Sequence, residues 1–174
     1  MPYSYLGTIT NKHQITDVIA GDVAAAVKLT AGLAVFEDTT LGFKVVPTTS
    51  QPIASNVRFV EVEQDNTTGV KGDKKVETYK HGVIICVKAQ GSIPLGSKLR
   101  CSTTTAGSLA ALADPANAAL TSTFTDTEVE AALDAQRDVM KFYVADYLGH
   151  PDEFRTGKEP TAATDGQEIF VYVK

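Results

Sequence analysis

The chain has 174 residues, 43% of them apolar and 21% charged, with a formal net charge of −5. That length fits one compact domain and lets folding bury roughly 70% of the unfolded-chain surface, so no disulfide or metal staple is required. The acidic balance argues against a general nucleic-acid binder, and no apolar run approaches the roughly 20 residues of a membrane-crossing helix.

Residues 1–22 are polar and mixed, with Ile15, Val18 and Ile19 as apolar points. They read as an N-terminal arm or as a first strand with its loop. Neither a basic stretch nor an apolar core marks a signal peptide there. The remaining residues, 23–174, read as a single β domain.

From Val23 to Phe36, β-branched residues and Gly32 predict two strands around a turn at Thr30-Ala31-Gly32. Glu37 to Gly42 reads as a hairpin loop, and Phe43 to Val46 as the returning strand, stopped by Pro47. A polar loop carries the chain to Asn56. Val57 to Gln64 alternates, with Phe59, Glu61 and Glu63 opposite Arg58, Val60 and Val62, which predicts a half-exposed strand. Asp65 to Lys75, with Gly69 and Gly72, reads as a second long hairpin-like loop.

Val76 to Leu109 organises the rest. Three extended segments, 76–80, 82–88 and 97–102, are separated by Gly-containing turns. Leu99 and Cys101 fall on one face of the third, Lys98 and Arg100 on the other. Gly82, Gly96 and Gly107 stand at the corners. Val27-Lys28 before Ala31-Gly32-Leu33 faintly resembles Val87-Lys88 before Leu95-Gly96-Ser97, too loosely to call a repeat.

An Ala-rich, helical insertion spans about 110–138. Thr125 and Glu128 form a capping-box pattern, and Val129, Ala132, Leu133 and Gln136 recur at helical spacing, which predicts one short helix over 126–138. Val139 to Leu148 reads as a strand, Gly149 to Gly166 as a loop and Ile169 to Val173 as the closing strand. Many short strands at spacings of about 8–12 residues predict an all-β fold, a small barrel or sandwich of antiparallel strands with that one helix.

No constellation for chemistry emerges. His13, His81 and His150 are isolated from one another and from the cysteines, so no metal site is expected. There is no nucleophile elbow. Gly69 to Lys75 lacks phosphate-loop spacing and precedes a strand, so it reads as a solvated hairpin tip. Glu61 with Glu63, and Asp152 with Glu153, read as solvent-facing charge. Asn66-Thr67-Thr68 is a glycosylation sequon read as incidental. Cys86 and Cys101 read as buried, reduced thiols; their spacing leaves a disulfide between neighbouring strands open. No catalytic residue, cofactor or metal ligand is assigned.

The order Gly82-Val83-Ile84-Ile85, Val87, Ala89, Ile93-Pro94-Leu95-Gly96-Ser97, Leu99 and Ala106-Gly107 resembles the head decoration, or capsid cement, proteins of tailed bacteriophages. Thr30 to Val35 is similar to that family's opening strand, and Val144 to Gly149 and Asp165 to Val173 to its closing strands. The likeness covers about half the chain; the N-terminal stretch and the 110–138 insertion depart from the compact form. The resemblance implies a non-enzymatic virion protein, made in the host cytoplasm, that binds the major capsid protein on the outer capsid surface. It also implies a homo-oligomer, with a trimer favoured, and neither nucleic acid nor membrane as partner. Binding only the mature lattice would stabilise it by mass action, and many copies add avidity. The alternatives are a tail or head–tail component, or a small-ligand binder or enzyme marked by a pocket of converging ionisable groups.

Overall fold

A computed structural model describes residues 3–113 and 125–174. The described residues form twelve strands: β1 (Val18–Asp22), β2 (Val27–Leu29), β3 (Ala34–Asp38), β4 (Gly42–Val45), β5 (Arg58–Val60), β6 (Gln64–Asn66), β7 (Lys75–Tyr79), β8 (Ile84–Lys88), β9 (Lys98–Cys101), β10 (Leu109–Ala111), β11 (Ala145–Gly149) and β12 (Glu168–Val173). Two α-helices, α1 (Asp126–Phe142) and α2 (Pro151–Thr156), interrupt them late in the chain. The strands build two five-stranded antiparallel sheets, ordered β1-β7-β5-β3-β4 and β10-β9-β11-β12-β8, and a small β2-β6 ribbon.

Register decides which side chains meet. Ala34 stands opposite Phe59, and Phe59 opposite Tyr79, so the three share one face of the first sheet. That face packs on the inner face of the second sheet, where Val83, Ile85, Val87, Leu99, Ile169 and Val171 are fully or almost fully buried. Successive residues of a strand point to opposite faces, so Val35, Val60 and Val76 turn the other way. With Val23, Leu29 and Phe43 they form a second, smaller core under the β2-β6 ribbon.

The first sheet curls until Val23, just after β1, bridges Phe43 of β4; the second curls until Ala89, just after β8, bridges Leu109 of β10. Each contact is a single bridge, and neither sheet closes. The expected all-β fold of short antiparallel strands is present, and of its two forms, barrel or sandwich, the described strands form packed, curled sheets with no closed barrel.

β5 is not half-exposed. Arg58, Phe59 and Val60 are all buried, because a core lies on each face, and the chain then breaks before joining β6 in the other ribbon. Arg58 keeps its charge inside by donating to the Asp17 carboxylate at 2.7 Å, to Thr78 Oγ1 at 2.8 Å and to the carbonyls of Asp17 and Thr78. A buried guanidinium persists only when it is so paired.

The turns at Gly32, Gly82, Gly96 and Gly107 all have φ between +73° and +79°, as their corner positions require. The predicted helix exists but runs on to Phe142. Ala132, Ala135, Val139 and Phe142 continue one half-covered stripe, so residues 139–142 join the helix rather than a strand. α2 stands within the expected loop; Pro151 opens it and Gly157, at φ +67°, ends it. Ala110 and Ala111 of the insertion belong to β10, whereas its residues 114–124, like residues 1 and 2 of the arm, lie outside the described residues.

Candidate functional site

Residues 18–22 are β1, and residues 7–10 cover the outer edge of β8: Gly7 N–H donates to Cys86 O, Cys86 N–H to Thr8 O and Thr10 N–H to Ile84 O, at 2.9 to 3.1 Å. Asn11 closes the run by donating to Gly82 O and accepting from Ile84 N–H. Further out, the Glu168 carboxylate accepts from Ser4 Oγ at 2.6 Å and Tyr5 N–H at 2.7 Å. Arg155 of α2 donates to Tyr5 Oη at 3.0 Å, and Phe154 packs on Phe170 at 4.9 Å between ring centroids. α2 and the N-terminal segment thus cover the outer side of the second sheet together.

This segment also brings one ionisable cluster into being. Lys12 Nζ donates to Glu61 at 2.5 Å and lies 5.5 Å from the centre of the Tyr79 ring; Tyr79 Oη donates to Glu77 at 3.0 Å. The cluster sits beside a cleft of about 330 Å³ lined also by Ala20, Val62, Gln64 and Val76. Glu61 is therefore an ion-pair partner and not the free solvent-facing charge expected of it. The hydrogen bond to Glu61 holds the Lys12 ammonium above its ordinary range, and burial first, then Glu77, holds the Tyr79 phenol above its own. Lys12 is thereby held charged and Tyr79 neutral, so neither is poised to exchange a proton near pH 7. The cluster braces the N-terminal segment against β5 and β7.

The remaining flagged residues separate. Glu63 pairs with Lys28 at 3.0 Å on the surface. His13 is exposed in a 3-10 turn (Lys12–Gln14), and exposed His81 stands 3.6 Å from Asp17. His150 caps α2, its ring nitrogens 3.4 and 3.3 Å from the carbonyls of Glu168 and Ala162. Among the described residues no group of three His, Cys, Asp or Glu is placed to hold a metal. Asp152 is exposed, but Glu153 is a capping residue, accepting from Thr161 Oγ1, His150 N–H and Thr161 N–H. Those bonds, Thr161 foremost, lower its carboxyl below the ordinary range. The Gly69 to Lys75 tip is exposed apart from partly covered Gly69; Lys71 donates to Thr40 O and Lys75 pairs with Asp22.

Asn66 settles the sequon. It is 2% exposed, and its Nδ2 donates to the carbonyls of Val23, Ala24 and Val70, so the folded chain cannot accept a glycan there. Cys86 and Cys101 are both free and buried. Burial pushes each thiol up to about 12, which leaves them as inert packing groups.

None of the 17 residues of α1 is buried. The Thr125 hydroxyl accepts from Glu128 N–H while the Glu128 carboxylate accepts from Thr125 N–H. At the other end the Phe142 ring lies under the Arg100 guanidinium at 4.7 Å. Between these ends Val129, Leu133 and Met140 are 44%, 50% and 82% exposed. Sequence reading found the cap and the stripe; that the stripe faces outward is set by tertiary placement.

Comparison with protein-family models, with curated proteins and with solved structures yields no match. No described helix is long and apolar enough to cross a membrane.

Proposed function

We propose that this chain is a virion structural protein that decorates the outside of a tailed-phage capsid by binding the major capsid protein. The observation that carries the reading is the resemblance over residues 82–107: its glycines at 82, 96 and 107 are positive-φ corners between β7, β8, β9 and β10. A strand–turn order that coincides with real turns is a stronger likeness than one scattered through loops. The rigid sheets leave apolar residues standing out at their turns, among them Leu41, Val62, Val70 and Leu95. Such residues suit a protein that touches a lattice through several loops at once, where modest contacts add by avidity. The ionisable cluster at Tyr79 offers no comparable support for the enzyme reading, since its groups are committed to one another. Self-association belongs to the same proposal.

The test is sedimentation of the purified protein with expanded shells assembled from the major capsid protein of the same genome. Co-sedimentation to a saturating copy number, with a higher shell melting temperature, is expected. Failure to bind shells whose decoration sites are vacant would sink the proposal.

A further inference from the structure

We infer that α1 is a self-association element, and that it packs against α1 of a second copy, antiparallel, about a two-fold axis near residues 134 and 135. In a folded protein most of a helix's stability comes from tertiary packing of its amphipathic face. α1 has little: its inner stripe is half-covered by the turn at Ala54–Asn56 and by Arg100, and its outer stripe is open. Val129, Leu133, Gln136 and Met140 fall within one narrow sector at 100° per residue. Three of the four are large apolar side chains, each at least 44% exposed.

The flank beside that stripe identifies the occupant. Asp126 and Glu130 lie on it in the N-terminal half, and Arg137 and Lys141 on the same side in the C-terminal half. Reversing the helix about its middle places Asp126 against Lys141 and Glu130 against Arg137 of the second copy. The same operation sets Val129 against Met140 and Leu133 against Gln136, within about one residue of the same centre, a shift of about 1.5 Å. A two-fold interface must be complementary to itself, and this stripe is so in both its apolar and its charged positions. A parallel arrangement, including a three-fold bundle through this helix, would set this charged flank against the Ala132, Ala135 and Val139 side of its neighbour and leave the four charges without partners. The inference parts from the capsid reading on stoichiometry: the resemblance favours a trimer, whereas this stripe fits a two-fold pair, and shell binding is tested separately from either.

Light scattering after size exclusion, over concentrations of about 1 to 200 µM to capture a weak interface, reads the mass. Twice the chain mass of 18.5 kDa is expected at the upper end; a monomer throughout, or a trimer, overturns the inference. Leu133→Glu should return the protein to a monomer while its β-sheet circular dichroism is unchanged. A charge test removes any ambiguity from local unfolding. The variant R137E/K141E and the variant D126K/E130K should each be monomeric, and their equimolar mixture should recover the dimer. A dimer indifferent to Leu133→Glu, or a mixture that stays monomeric, overturns the antiparallel pairing.

Discussion

At Gly107 the backbone has φ +74°, and a Cβ would fall 2.6 Å from Leu33 Cδ2 and 2.8 Å from Val45 Cγ1. Gly96 has nearly the same φ, +73°, but nothing lies within 4 Å of its Cβ position. Gly96→Ala therefore meets only the left-handed backbone strain of roughly 1 kcal/mol. Gly107→Ala adds overpacking of about 1–3 kcal/mol to it. Urea unfolding of the two variants should separate their midpoints in that order, and equal midpoints would refute the packing at Gly107. The two thiols make a second prediction at this scale. Their folded pKa, near 12, lies above the unfolded value of about 8.5. A neutral thiol thus stabilises the fold fully below pH 8.5, and that contribution fades as pH rises toward 12. A thiol reagent should leave native protein unlabelled at pH 7.5 and label both cysteines in urea; labelling of the native protein would contradict their burial.

Among elements, α1 should be separable from the rest. It touches neither core, so Thr125→Ala, which removes a cap worth about 1 kcal/mol, should raise amide exchange along 126–142 and leave the exchange of β5, β8 and β12 unchanged. Faster exchange across all of these strands together would show that the helix is integral to them. Element by element, the sequence declared whatever depends on neighbouring residues. The capping box at Thr125, the turn at Gly32 and the alternation of Leu99 with Cys101 are local chemistry, and each reads directly. β5 departs from the half-exposed strand that its alternation predicts, because alternation reports what one face meets; a strand with a core on each side hides its second layer, and only Arg58's partners reveal it. α2 escaped because six residues show too little periodicity, although Pro151, the acidic first turn and Gly157 were available as boundary signals.

At the scale of the whole molecule, acid should weaken the fold. Asp22 is held below the ordinary carboxylate range by Lys75, Asp38 by the Leu41 amide, Asp65 by Thr67, Glu128 by the Thr125 amide and Glu153 by Thr161. A depressed folded pKa contributes stability above the unfolded value, near 4, and loses it as pH falls through the folded value. The melting temperature should stay level from about pH 7 to 5 and drop below about pH 4. The drop should shrink at high salt, because these groups are exposed and screened; a melting temperature constant down to pH 3 would refute the arrangement. The Lys12–Glu61–Tyr79–Glu77 cluster was invisible in the sequence for a reason of the same scale. Lys12 and Glu61 are 49 residues apart, and only the docking of the N-terminal segment on β8 makes them neighbours.

The position of β12 has a consequence for synthesis. β12 lies inside its sheet, between β11 and β8, yet follows both in the chain. At a ribosomal pace of about 5–20 residues per second, the roughly 80 residues from Lys88 to Glu168 take about 4–16 s to appear. Throughout that interval β8, a run of Ile, Ile, Cys and Val, has no partner on its inner side. Residues 7–10 have already emerged by then. They can shield its outer edge at once, so the segment that finishes the folded sheet also acts as a guard for the nascent one.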